Sequence, residues 1–178
     1  MTQRTPTVLA AAVAAALLAL ATPALANTAS ATLKDASGAD IGKATLTQTP
    51  NGVLVRAEAK GISEGEHAFH IHQTGTCDGS DGFKSAGGHF ALDHQHGFEV
   101  DGGPHPGDMP NVKVHADGAF AAEFINTAVS LKQGEPGYLF DEDGSALVIH
   151  AKADDYRSQP SGDAGDRIAC GVIRAAAK

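Results

Sequence analysis

Tryptophan is absent from this 178-residue chain, tyrosine, cysteine and methionine occur twice each, and acidic side chains outnumber Lys and Arg by 21 to 13. Each shortage excludes something. A formal net charge of -8 with histidine neutral argues against nucleic acid or an anionic lipid surface as partner. An anionic substrate would then need positive charge focused locally. Neither Cys77 nor Cys170 lies in a CxxC, so a thiolate metal site is the weaker reading of the pair. Beyond the N-terminus no apolar run approaches the roughly 18 to 20 residues of a transmembrane helix, and no membrane association is expected. Repeats of 20 to 50 residues are also missing, which removes solenoids and propellers.

The N-terminus carries Arg4, an apolar run over residues 8–21, and then Thr22-Pro23-Ala24-Leu25-Ala26, a small-residue site of the A-x-A type. This pattern predicts a secretory signal peptide over residues 1–26, cleaved after Ala26. The run has no polar face at helical spacing, which disfavours the rival, a buried N-terminal helix. The residue directly after Ala26 is Asn27 rather than cysteine, so no lipid anchor is expected there. Residues 27–178 have the length of one domain. Export puts Cys77 and Cys170 where disulfides persist, and they read as one bridge. Closing a loop of about 90 residues is worth roughly 4 to 5 kcal/mol in the chain-entropy model.

What is present is glycine, at 21 residues, and histidine, at 9. Short stretches of alternating apolar character, separated by turn residues, predict strands over 28–34, 41–49, 53–62, 67–72, 112–115, 119–125, 146–150 and 168–174. In the third, Val53, Val55, Ala57 and Ala59 share one face and Arg56, Glu58 and Lys60 the other, the period of a half-buried sheet. The class is all-β, a sandwich or a barrel. Two long irregular stretches, 73–111 and 151–166, interrupt it. Such loops are uncommon in compact domains unless functional, pinned or disordered.

In Phe69-His70-Ile71-His72, residues two apart on a strand point to one face. Two imidazoles converge while Phe69 and Ile71 can enter the core. An H-x-H alone is a weak signal. It is strengthened by Gly88-His89-Phe90, His96 and His105-Pro106-Gly107-Asp108 in the first loop and by His150 at a strand end. Together they make a nitrogen-rich site suited to copper or zinc.

These residues, with the closing stretch Gly162-Asp163-Ala164-Gly165-Asp166-Arg167-Ile168-Ala169-Cys170-Gly171-Val172-Ile173, resemble the copper,zinc superoxide dismutases over nearly all of residues 27–178. The resemblance implies a flattened eight-stranded Greek-key β-barrel with two long metal-site loops. It implies one copper and one zinc per subunit, and disproportionation of superoxide to oxygen and hydrogen peroxide by Cu(II)/Cu(I) cycling. Copper would be bound by His70, His72, His89 and His150, and zinc by His89, His96, His105 and Asp108, with His89 bridging. His94 is the alternative to His96, because the segment after His89 is shorter than is usual in the family. Arg167 would attract and orient superoxide, its rival role being a surface ion pair with Asp163 or Asp166, and Lys84 could add local positive charge. Asp154, with Asp155 as the adjacent alternative, would hydrogen-bond the outer nitrogens of a copper and a zinc ligand. His67 would pack and hydrogen-bond without binding metal, His115 would be solvated, and the Cys77–Cys170 bridge matches the family disulfide. The expected setting is the periplasm, in protection of the cell envelope. Monomer and homodimer stay equally open. A metal-delivery protein on the same barrel is the competing function, but it would need neither the bridging His89 nor the anion guide Arg167. A domain with a degenerate site would lack ligands, and none is missing.

Overall fold

The computed structural model describes residues 27–176 and Met1. The expected signal peptide, Met1 apart, lies outside the described residues. Ten strands follow one another as β1 (Thr28–Asp35), β2 (Asp40–Thr49), β3 (Gly52–Ala59), β4 (Gly65–His67), β5 (Phe69–His72), β6 (Val112–Val114), β7 (Phe120–Asn126), β8 (Ala146–His150), β9 (Arg167–Val172) and β10 (Arg174–Ala175). Two single-turn 3-10 helices, Gly79–Asp81 and Lys84–Ala86, are the only helical pieces among the described residues. No helix there is long and apolar enough to cross a membrane.

Side-chain alternation produces the sheet. Along β1, Ala29, Ala31 and Leu33 are buried while Thr28, Ser30 and Thr32 are exposed. β3 buries Val53, Val55, Ala57 and Ala59 against exposed Arg56 and Glu58. Between β1 and β2 the Asp35 carboxylate accepts the Ser37 and Ala39 N–H groups at 2.9 and 3.0 Å, the local bonding by which an aspartate makes a turn. All strand pairs are antiparallel, in the order β5-β8-β9-β1-β2-β3-β7 with β10 beside β1, and β4 pairs with β6 in a second ladder. β6 packs beside β7 and β4 leads through Ala68 into β5. The small ladder thus covers the gap between the edges of a curled all-β sheet. Leu33, Leu46, Phe69, Ile71, Leu147 and Ile149 are fully buried inside it, each worth about 1.5–3 kcal/mol relative to exposure.

Three expected strands differ by more than a residue at an end. The 67–72 stretch is split at Ala68, whose N–H goes to the Lys152 carbonyl and whose own carbonyl accepts the His150 N–H. The chain there changes partner from β6 to β8. β3 ends at Ala59, after which Lys60 and Ile62 hydrogen-bond to Ile41 and Gly118. The 168–174 stretch divides at Ile173, whose N–H turns to Ser145, leaving β10 to pair with β1.

β5 and β8 are buried on both faces. Phe69, Ile71, Leu147 and Ile149 face the main core, while Phe83, Ala86, Ala146, Val148 and Cys170 form a second cluster under the 73–111 loop. The expected disulfide ties that loop down, with Cys77 and Cys170 Cα atoms 5.7 Å apart.

Candidate metal centre

β5 aims His70 and His72 away from the core, and alternation along β8 puts His150 on the same side, the face of Ala146 and Val148 opposite Leu147 and Ile149. The 73–111 loop then lies along the free edge of β5. His72 pairs with His89 and His70 with Asp108 as isolated bridges. Ile71 donates to Gly107 at 2.8 Å and accepts from Phe90 at 2.9 Å. A Cβ at Gly107 would stand 2.3 Å from the Ile71 carbonyl oxygen, so only glycine allows this approach.

One donor atom from each of His70, His72, His89 and His150 falls within 4.8 Å of the others, and so does one from each of His89, His96, His105 and Asp108. His89 belongs to both sets. All seven residues are buried. In the first set the outer nitrogens are spoken for. His70 Nε2 donates to Asp154 Oδ2 at 2.8 Å and His72 Nδ1 to the Gly87 carbonyl at 3.0 Å, which leaves their other nitrogens as lone pairs. His70 Nδ1 and His89 Nε2 are buried without any hydrogen-bond partner. His72 Nε2 and His150 Nε2 face one another at 3.3 Å. Converging, unpartnered imidazole nitrogens are costly alone and suit a copper ion.

In the second set the Asp108 Oδ1 meets the Nδ1 atoms of His89, His96 and His105 at 2.9, 3.1 and 3.3 Å. Its Oδ2 accepts the Gly97 and His105 N–H groups, both at 3.0 Å. Three imidazoles and one carboxylate make a four-donor set that fits zinc. Asp154 spans the two sets, its other oxygen lying 3.0 Å from His96 Nε2. Asp155 is exposed, and its carboxylate is engaged by Ser158 and Arg157.

The electrostatics match this division. Burial, with the neighbouring imidazoles, pushes His72 well down, His89 to about 4 and His150 to about 3. These rings are therefore neutral at pH 7, as ligands must be. Burial disfavours ionised Asp108 and Asp154. Hydrogen bonds from their histidines and from main-chain N–H groups outweigh it and hold both carboxyls far below the usual range. For His96 burial likewise opposes the charged form, yet Asp108 and Asp154 raise it to about 9. Between two carboxylates the ring keeps a proton where a cation would otherwise sit.

Arg167 makes no ion pair with Asp163 or Asp166. Its Nη1 donates to the Phe83 carbonyl at 2.6 Å and its Nη2 to the Gly87 carbonyl at 2.7 Å. Gly87 also receives His72, so the guanidinium is one acceptor removed from the first set, and its charge helps depress His72 and His150. Lys84 is exposed in the turn between Phe83 and Gly87. His67 lies outside both sets, buried, with Nδ1 2.7 Å from the His150 carbonyl and Nε2 2.9 Å from that of Ser63. His94 and His115 are exposed. Sequence reasoning missed Asn111, Tyr156 and Gln159. Asn111 donates to the Asp154 carbonyl and accepts its N–H, at 2.9 and 2.8 Å, and the Tyr156 hydroxyl accepts the Asn111 N–H at 2.8 Å.

Residues 41–173 match the family model described as copper/zinc superoxide dismutase. The chain is 50% identical over 139 residues to a Cu-Zn superoxide dismutase of Aquifex aeolicus, covering 77% of this chain and 82% of that protein. It is 46% identical over 146 residues to that of Caulobacter vibrioides, covering 80% and 83%. Among solved structures, a superoxide dismutase-like protein from Bacillus subtilis matches with a TM-score of 0.77 at 37% identity, over 82% of this chain and 97% of the other.

Proposed function

The chain belongs to the copper/zinc superoxide dismutase family, and on that footing we propose that it disproportionates superoxide at two adjoining metal sites joined by His89. It is a metalloenzyme whose cofactors are copper and zinc. When bound, copper supplies the one-electron couple between Cu(II) and Cu(I), and zinc supplies fixed positive charge without redox chemistry of its own.

The observation that carries the reading is the sharing of His89 between two buried donor sets. A protein that only stores or delivers one metal has no use for it. His70, His72, His89 and His150 hold copper; His89, His96, His105 and Asp108 hold zinc. His89 takes up and gives back a proton at Nε2, the atom left without a partner on the copper side, while Nδ1 stays in the zinc set. Arg167 draws the superoxide anion toward His72 and His150 and orients it with the guanidinium edge that Phe83 and Gly87 leave free. Asp154 links the two sets by holding His70 and His96, and His67 braces the main chain of His150.

Export to the periplasm, with residues 1–26 removed after Ala26 and the cell envelope as the compartment protected, is supported by the signal pattern and by the disulfide. Protein recovered from a periplasmic fraction should begin at Asn27.

Metal uptake tests the ligand assignment. Stripped protein should take up one copper and one zinc, His150→Ala should lose copper while keeping zinc, and His105→Ala should do the reverse. Equal loss of both metals in each variant would contradict the division.

A further inference from the structure

His96 enters its donor set from an irregular turn in which Leu92 and Asp93 adopt left-handed backbone, φ 46° and 64°. No named strand holds it. Its main chain is instead gripped by the other long loop. Gln159 lays its carboxamide along His96, so that Oε1 accepts the His96 N–H at 3.0 Å and Nε2 donates to the His96 carbonyl at 2.8 Å. This is the pairing a neighbouring strand would make. The Arg157 carbonyl receives Nε2 as well, at 3.1 Å, and two carbonyl acceptors fix which end of the amide is the NH2. The same loop closes in elsewhere around His96. A Cβ on Gly97 would stand 2.1 Å from the Tyr156 carbonyl oxygen, and one on Gly162 would stand 2.7 Å from His96 Nε2. Gln159 itself is exposed, so filling the core is not its task.

We propose that Gln159 is a positioning residue for zinc: by holding both main-chain polar groups of His96 it keeps the ring nitrogen aimed at the donor set and so governs zinc affinity. The inference rests on the assignment of His96 to zinc. A backbone clamp acts on the ligand's orientation rather than its chemistry, and outer partners of this kind typically govern metal affinity by ten- to a hundredfold. Copper affinity should be untouched, because Gln159 hydrogen-bonds to no copper ligand.

The test is zinc and copper affinity by chelator competition for the purified protein, Gln159→Ala, Gln159→Glu and His96→Ala, with the visible spectrum of cobalt(II) placed in the zinc site as a second readout. Gln159→Ala should weaken zinc roughly tenfold to a hundredfold, alter the cobalt spectrum and leave copper unchanged. Gln159→Glu, which sets a carboxylate oxygen against the His96 carbonyl, should do no better. Native zinc affinity and cobalt spectrum in both Gln159 variants would overturn the proposal, and so would equal weakening of zinc and copper, which would signal general loosening. Loss of zinc in His96→Ala alone leaves the ligand assignment standing and the clamp refuted. Native zinc affinity in His96→Ala would bring down both.

Discussion

Arg167 is held by carbonyl oxygens, not by carboxylates, and that difference decides what it can do. An ion pair with Asp163 or Asp166 would cancel its charge, whereas two neutral acceptors fix the guanidinium without pairing its charge. Arg167→Ala should therefore slow dismutation, and more at low ionic strength than at high, because salt screens steering over a Debye length of about 10 Å at 0.1 M. Rates measured across a salt series check this, and a salt-independent loss would remove the steering role. Gly107 gives a second prediction. An alanine there places Cβ against the Ile71 carbonyl, so Gly107→Ala should displace Asp108 and lower zinc affinity and stability together, seen in chelator competition and urea unfolding. At this scale the histidines were legible because side-chain ligands sit in spaced motifs: His70-x-His72 on one strand face, His105 three residues before Asp108. Asn111, Phe83 and Gln159 were not. They act through main-chain groups that the other long loop or a distant strand brings near, and nothing in their own neighbourhood of the sequence marks such a contact.

The elements matter because the 73–111 loop carries ligands from both sets and also the carbonyls that seat Arg167. One disulfide, spanning 93 residues of sequence, anchors it to β9 beside a small apolar cluster. Cys77→Ser combined with Cys170→Ser should cost about 4 kcal/mol or more of stability in the chain-entropy account. It should also lower activity in protein that is still folded and metal-loaded, because Phe83 and Gly87 lose their anchor. Urea unfolding read alongside specific activity separates the two effects, and unchanged activity in the folded variant would detach the bridge from Arg167. The strands were readable from period-two alternation in β1, β2 and β3. The break at Ala68 was not, since Glu66 to His72 shows no turn residue. Its cause is a change of partner strand, which only the fold supplies.

For the whole molecule, the chain is acidic, with pI near 5.5, and the metal-free protein should show the strain of its buried rings in its pH dependence. His89 and His150 fall to about 4 and about 3 in the fold against roughly 6.5 unfolded. Below pH 6.5 the unfolded chain therefore binds more protons, and stability declines as pH falls toward 4. His96, raised to about 9, contributes stability that is full below 6.5 and lost as pH rises through 9. The urea midpoint of metal-free protein should accordingly peak near pH 6.5 and decline on either side, and a midpoint still rising toward pH 4.5 would contradict this. The central claim is that His89 joins copper and zinc into one catalytic centre. Its most direct test is superoxide dismutation by purified protein loaded with both metals, beside the metal-free form and His89→Ala. Rapid turnover that requires copper and falls sharply in His89→Ala is the result predicted; tight copper binding without turnover, or full activity in His89→Ala, would contradict it.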